Sequence, residues 1–327
     1  MVTGAAGFIG SQLCERLIET GVAVVGIDNF SPHYSSELKR LNLVLLSALP
    51  DFRLVDSGLA EAALDDLVSE VDIVFHLAAR PGVRDSWVDF EDYVDANIIG
   101  SRVIFDAAAK AGKRVVYASS SSVYGDTTAL PVGENHRLHP ISPYGASKVM
   151  TEVLAGAYSS AHGLEAVGLR YFTVYGPRQR PDMGIARFVE WIQEGRPISV
   201  YGDGEQQRDM TFVGDIVAAT VLAGTRGGSG QIYNVASGSP YALSQILAEL
   251  ADVLGVKATL SHERAKPGDV RDTWADISKA TSELGYTPRV ALREGLTAQV
   301  AEAEKRRATL RAVTTSSKVS RTLPREL

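Results

Sequence analysis

The chain predicts a doubly wound α/β fold: a parallel sheet with helices on both faces, joined to a smaller C-terminal α/β lobe. Three observations lead there. Short, almost uninterrupted apolar runs recur along the first two-thirds, stretches of helical spacing separate them, and a glycine-spaced loop, Gly4-Ala5-Ala6-Gly7-Phe8-Ile9-Gly10, opens the first helical stretch. Strands apolar on both faces belong in sheets covered on both sides, and alternation with helices makes such sheets parallel.

The elements follow in order. Met1-Val2-Thr3 is shorter than the usual strand of ~5–6 residues, so the first strand reads as clipped, with an intact glycine loop behind it. Ile9, Leu13 and Leu17 mark one helix face that closes at Gly21, a residue suited to a C-cap. Residues 22–27 form the next strand and end at Asp28; residues 71–75, 114–117 and 166–169 are similar buried strands. Long helices are expected over 93–111 and 144–162. After Tyr171 the pattern loosens, and 176–182 is loop chemistry rich in breakers and cations. Residues 232–235 read as a strand returning to the main sheet. Ser239 and Pro240 suit the N-cap and first position of a helix whose apolar face is Leu243, Leu247, Leu250 and Leu254. A Ser/Thr/Arg-rich tail without periodicity follows from 313, read as flexible.

Bulk properties exclude several functions. Of 327 residues, 45% are hydrophobic and 22% charged, ordinary for a soluble globular protein, and the net charge of −6 gives a nucleic-acid role no electrostatic support. No apolar run approaches the ~20 residues of a membrane span, and no secretory signal is expected. The single cysteine, Cys14, lies in the first helix as a small apolar residue; it rules out an internal disulfide framework and suits the cytoplasm.

Chemistry concentrates in three places. Glycines 4, 7 and 10 let the backbone turn tightly and approach a pyrophosphate, whose charge the helix N-terminus favours. Asp28, about 20 residues on, is placed to hold a ribose 2′-hydroxyl and repel a 2′-phosphate, which favours NAD over NADP and a Rossmann-like sheet. Ser119-Ser120-Ser121-Ser122 directly follows a buried strand, where ligands of open parallel sheets bind. In Ser142-Pro143-Tyr144-Gly145-Ala146-Ser147-Lys148, Tyr144 and Lys148 stand four apart at the start of a helix, hence on one face. An adjacent ammonium lowers a phenol's pKa, so the pair reads as an acid/base device acting on a hydroxyl. His76, after an apolar strand, reads as a packed scaffold residue rather than a base. His136 and His139 lack partners for a metal site, and no metal is expected.

Together these motifs resemble the extended short-chain dehydrogenase/reductase family, and within it the nucleotide-sugar epimerases. The resemblance runs from Val2 to about Val290. It includes Phe75-His76-Leu77-Ala78-Ala79 and the junction Leu169-Arg170-Tyr171-Phe172-Thr173-Val174-Tyr175-Gly176-Pro177. Gly82-Val83-Arg84, Ser121-Ser122-Val123-Tyr124-Gly125 and Arg180-Pro181-Asp182-Met183 look like the UDP-glucuronate 4-epimerases. Arg80 and Pro81, in place of a Gln-Ala pair, and Val213-Gly214-Asp215, in place of an aromatic–Asp–Asp run, depart from the pattern.

The resemblance implies NAD-dependent inversion at C4 of a UDP-sugar, with Tyr144, Lys148 and Ser120 catalytic. It places the cofactor against Gly4, Gly7, Phe8, Ile9, Gly10 and Asp28, then Asn29, Ser31 and Asp56. Leu77, Ala78, Ala79, Asn97, Ser119 and Tyr171 complete that set, beside Tyr144 and Lys148. For the UDP-sugar it implies Arg84, Ser120, Ser121, Ser122, Tyr144 and Thr173, with Arg180, Arg187, Arg208, Asp269 and Arg271. Residues 1–172 plus about 206–236 would hold NAD, and 173–205 plus about 237–312 the sugar. A homodimer is also implied. UDP-glucuronate decarboxylation, epimerisation of a neutral UDP-sugar, and a catalytically silent NAD-binding scaffold remain as alternatives.

Overall fold

The computed structural model describes residues 1–263 and 270–320, with side chains to Leu310. In chain order the strands of the main sheet are β1 (Val2–Thr3), β2 (Val24–Asp28), β3 (Phe52–Asp56), β4 (Ile73–His76), β5 (Arg114–Ser120), β6 (Ala166–Tyr171) and the return strand Ile232–Val235. All six pairings are parallel, in the spatial order return strand, β6, β5, β4, β1, β2, β3. The order reverses between β1 and β4, where Val2 faces Gly26 on one side and Phe75 on the other. A crevice at the carboxyl edge is expected at such a switch point.

The expected strands and covering helices are present because their residues leave few alternatives. All six residues of β6 are buried, as a strand covered on both faces requires. Helix α1 (Phe8–Glu19) lays Leu13, Cys14 and Leu17 on one face of the sheet and stops before Gly21, whose φ is +80°. The other face is covered by α3 (Leu64–Ser69), α5 (Gly100–Ala111) and α6 (Pro143–His162), through Leu67, Ile104, Phe105 and Ala155. Each such large side chain contributes ~1.5–3 kcal/mol when fully buried. The first long helix is interrupted: α4 (Phe90–Tyr93) passes through a π turn, Val94–Ile99, into α5.

The smaller lobe has its own core of Ile185, Val189, Ile198, Val200, Ile246, Leu250 and Leu296. Two expectations change here. Residues Pro240–Ala242 are a strand, antiparallel to Gln207–Asp209, and the helix starts only at Leu243. Proline suits an edge strand, and Gln245 Oε1 accepts the Ala242 N–H, closing the helix start three residues late. The last helix spans Leu292–Ser320, past the point where the tail was expected; between Gly295 and Pro324 the sequence has neither glycine nor proline to stop it. No helix among the described residues is long and apolar enough to cross a membrane.

Candidate active site

The carboxyl edge of the sheet and the smaller lobe enclose a cleft of about 1470 Å³. Its floor begins at the glycine loop. Gly4 has φ of +71°, and a Cβ there would sit 2.9 Å from the Ala78 nitrogen; at Gly10 it would lie 2.1 Å from the Gly4 carbonyl oxygen. Only glycine fits either place. Gly7 caps α1 without a side-chain hydrogen bond, so the first-turn N–H groups are left for a ligand. Asp28 accepts from Ala6 N at 3.0 Å and Phe30 N at 2.8 Å, with Lys39 Nζ 4.0 Å away. Asn29, Ser31, Phe8, Ile9, Leu77, Ala78, Ala79 and Tyr171 also line the cleft.

Tyr144 occupies the first turn of α6. Pro143 starts that helix, and Ser142 Oγ accepts the Gly145 N–H at 3.1 Å. Burial pushes the Tyr144 hydroxyl above its ordinary pKa, outweighing the lowering from its hydrogen bond with Ser120 and from the Arg180 charge. The expected depression by Lys148 is thus not a property of the chain alone. The lysine ammonium is instead spent on the Ala118 carbonyl, at 2.8 Å. Burial draws Lys148 itself down to about 8, against an opposing pull from Glu152.

Glu152 lies one turn further along α6 and was not read from the sequence, although it continues the Tyr144–Lys148 face. Arg170 of β6 grips it through Nε at 2.9 Å and Nη2 at 2.7 Å, and Ser119 Oγ donates to it at 2.6 Å. Arg170 Nη1 also donates to Tyr124 Oη at 2.8 Å, which donates to Asn234 Oδ1 at 2.6 Å. A buried, fully bonded charge network therefore underlies the lysine.

The polar wall opposite comes from two segments. Ser120 ends β5, and Ser121 and Ser122 turn out of it in a 3-10 helix; Ser120 Oγ donates to Ser122 Oγ at 3.2 Å. Thr173 and Arg180 follow β6, and Arg180 is held bidentately by Asp182 at 3.0 and 2.8 Å. Toward the smaller lobe, Arg84 lies over the Tyr201 ring at 4.9 Å and Arg187 over Trp191 at 4.7 Å. Arg208 donates to the Arg271 and Val270 carbonyls at 2.6 and 2.8 Å, and Arg271 reaches Asp203 at 3.4 Å. All these residues face the cleft.

Two expected cofactor residues do not line it. Asp56 pairs with Arg40 at 3.6 Å on the surface. Asn97 is buried, its amide fixing both backbone groups of Arg80 and the Ser147 hydroxyl, so it braces the loop rather than facing a ligand. Asp269 lies outside the described residues. His76 is buried between Thr3 Oγ1 at 2.8 Å and Ser101 Oγ at 3.1 Å, its pKa drawn down to about 3 by burial and then by Lys148. Among the described residues no three His, Cys, Asp or Glu side chains gather as metal ligands.

Residues 1–236 match the NAD dependent epimerase/dehydratase family. The chain is 40% identical over 305 residues to the uncharacterized UDP-glucose epimerase YtcB of Bacillus subtilis, covering 92% of this chain and 96% of that protein. It is 38% identical over 302 residues to the UDP-glucuronate 4-epimerase of Thermodesulfobacterium geofontis, covering 90% and 93%. The crystal structure of UDP-glucuronic acid 4-epimerase from Bacillus cereus, in complex with UDP-glucuronic acid and NAD, superposes with a TM-score of 0.90 at 38% identity. That match covers 93% of this chain and 98% of that one.

Proposed function

The chain belongs to the NAD dependent epimerase/dehydratase family, and on that premise we propose that it inverts C4 of UDP-glucuronate to give UDP-galacturonate. The observation that carries this reading is the meeting of Tyr144, Lys148 and Ser120 with the hydroxyls of Ser121, Ser122 and Thr173 in one cleft. The cofactor fits what is present: Gly4 and Gly10 leave room that a Cβ would fill, and the Asp28 carboxylate stands beside them. Bound NAD supplies a reversible acceptor for the C4 hydrogen.

The chain's own residues handle the proton and the sugar. Tyr144 Oη takes the proton from the C4 hydroxyl and later returns it. Because burial disfavours the phenolate in the chain alone, Tyr144 relies on positive charge to become a base: Arg180 already lowers its pKa, and Lys148, one helical turn on, is the second cation this reading calls on. Ser120 holds the same oxygen. Oxidised at C4, a glucuronate is a β-keto acid prone to lose CO₂. Hydroxyl donors from Ser121, Ser122 and Thr173 stabilise the carboxylate charge that decarboxylation would remove, and Arg180 adds a cation. The keto sugar must present its opposite face before Tyr144 returns the proton. Arg84, Arg187, Arg208 and Arg271 supply positive charge for the diphosphate end, which the smaller lobe holds.

Chromatography of products from UDP-glucuronate tests this reading. The expected product is an isomer of unchanged mass; a pentose with CO₂ means a decarboxylase, and no turnover with NAD bound means a silent scaffold. Turnover of UDP-glucose alone would mean a neutral-sugar epimerase. The same reading includes a cytoplasmic homodimer. Ile99 at 39%, Met150 at 45% and Val153 at 59% stand exposed along the π turn and α6, an apolar face suited to a second copy across a two-fold axis. Light scattering showing a concentration-independent monomer would remove the dimer.

A further inference from the structure

His33 sits in the loop between β2 and α2 (Ser36–Leu43), where the resemblance assigned it nothing. Its side chain is 7% exposed and lines the cleft, and its Nε2 has no hydrogen-bond partner. The carboxylate within ion-pair range is Asp182, its Oδ2 at 3.9 Å, on the loop that also carries Arg180. Asp182 is meanwhile committed to Arg180, through both carboxylate oxygens. The arrangement is a row of three groups, His33, Asp182 and Arg180, in which the middle carboxylate has a committed partner on one side and an uncommitted one on the other.

We propose that His33 is a specificity-determining positioning residue: in its protonated form it takes up the Asp182 carboxylate when the carboxylate of an acidic sugar claims Arg180. The inference rests on the reading that the substrate sugar is acidic. Charge counting gives it direction. Arg180 with Asp182 is neutral, so an added sugar carboxylate leaves the trio with one surplus negative charge in a partly desolvated cleft, and a proton on His33 cancels it. A neutral UDP-hexose creates no surplus and calls for no proton.

The surroundings leave this task to His33. Arg80 is engaged by Asp89 at 3.4 Å and Asp92 at 3.3 Å through its two terminal nitrogens, its Nε being buried without a partner, and Lys39 by Ser31; neither can take up a proton to match an added charge. Facing the imidazole are Tyr34 on its own loop, Arg80 and Asp85 from the segment after β4, and Arg180 and Asp182 from the junction. Burial, then Arg80, hold His33 below its ordinary value, so it is neutral at pH 7 in the ligand-free chain. Freed from Arg180, Asp182 raises that value. A ligand that raises a pKa binds tightest below the free value and loses affinity as pH rises through the bound one. One pKa unit gained on binding is worth about tenfold in affinity.

The test is calorimetry on NAD-loaded Tyr144→Phe protein, which binds sugar without turning it over, from pH 5.5 to 8. UDP-glucuronate should weaken about tenfold per pKa unit gained, and its binding enthalpy should vary with buffer ionisation heat, reporting proton uptake. UDP-glucose should show neither effect. In the His33→Gln background UDP-glucuronate should bind with the weak, high-pH affinity throughout. Equal pH dependence for both sugars, no proton uptake, or a slope surviving His33→Gln overturns the role of His33 while leaving the acidic-sugar reading intact. Because proton uptake is read with His33 present, a poorly folded His33→Gln does not protect the proposal. Failure of UDP-glucuronate to bind at any pH removes the acidic-sugar reading, and this inference with it.

Discussion

Replacing Glu152 with glutamine isolates what the charge beneath Lys148 does. Both Glu152 and Arg170 side chains are only 4% exposed, and the carboxylate accepts two guanidinium bonds and one from Ser119. Glutamine keeps the shape but turns an amide NH₂ toward an Arg170 donor and leaves a buried cation uncompensated. Removing one partner of a buried pair costs about 3–5 kcal/mol. At about 2–4 °C per kcal/mol, thermal unfolding at pH 7 should shift down by roughly 6–20 °C. A second readout separates fold from chemistry. Glu152 is the group that raises Lys148, so its loss should carry the lysine below about 8. Charged Lys148 supports the phenolate, so the fall in kcat with rising pH should begin at lower pH in Glu152→Gln. The pair Glu152→Leu with Arg170→Met, apolar on both sides, should recover much of the melting temperature but not the pH profile. A shift of less than about 1 kcal/mol in Glu152→Gln, or an unmoved profile, would refute the reasoning.

Tyr144→Phe should retain NAD and UDP-sugar binding while losing turnover; more than a few per cent of the rate in a product assay would mean another base. Asp28→Ala removes the acceptor of two backbone N–H groups and the carboxylate nearest Lys39. NAD binding should weaken by about 10–100-fold, at ~1.5–3 kcal/mol per bond to a charged group, while NADP gains relative to NAD; titration with both cofactors checks it, and an unchanged preference counts against the ribose role. Thr173→Ala, alone or with Ser122→Ala, should raise the ratio of CO₂ release to epimerisation on UDP-glucuronate and matter little to a neutral UDP-hexose. Equal slowing of both sugars without CO₂ would reduce these residues to pocket walls.

How much was legible depended on how local the determining interaction is. Strand β6 was readable because both its faces are buried, which leaves an unbroken apolar signature. The Tyr144–Lys148 face was readable because one helical turn sets it. Pro240 misled, since its fixed φ suits an edge strand as well as a helix start, and only the partner strand Gln207–Asp209 decides between them. Asp56 stands outside the cleft lining and pairs with Arg40, since a strand end does not say which way its side chain turns. His33 carried no sequence signal at all: its meaning lies in Asp182, which the fold alone brings to 3.9 Å. The Tyr144 shift was misjudged for a related reason. Helical spacing shows the neighbouring cation, while the weight of burial depends on everything packed around the phenol.

The return strand has a consequence for how the protein is made. Strand β6 is flanked by β5 on one edge and by Ile232–Val235 on the other. While a ribosome is still adding the segment between them, β6 has an open edge of apolar residues beside a half-built lobe. Unpaired apolar edges recruit other chains. Fragments ending before Ile232 should therefore aggregate rather than behave as small cofactor-binding domains, and the chain has reason to engage a chaperone until that strand emerges.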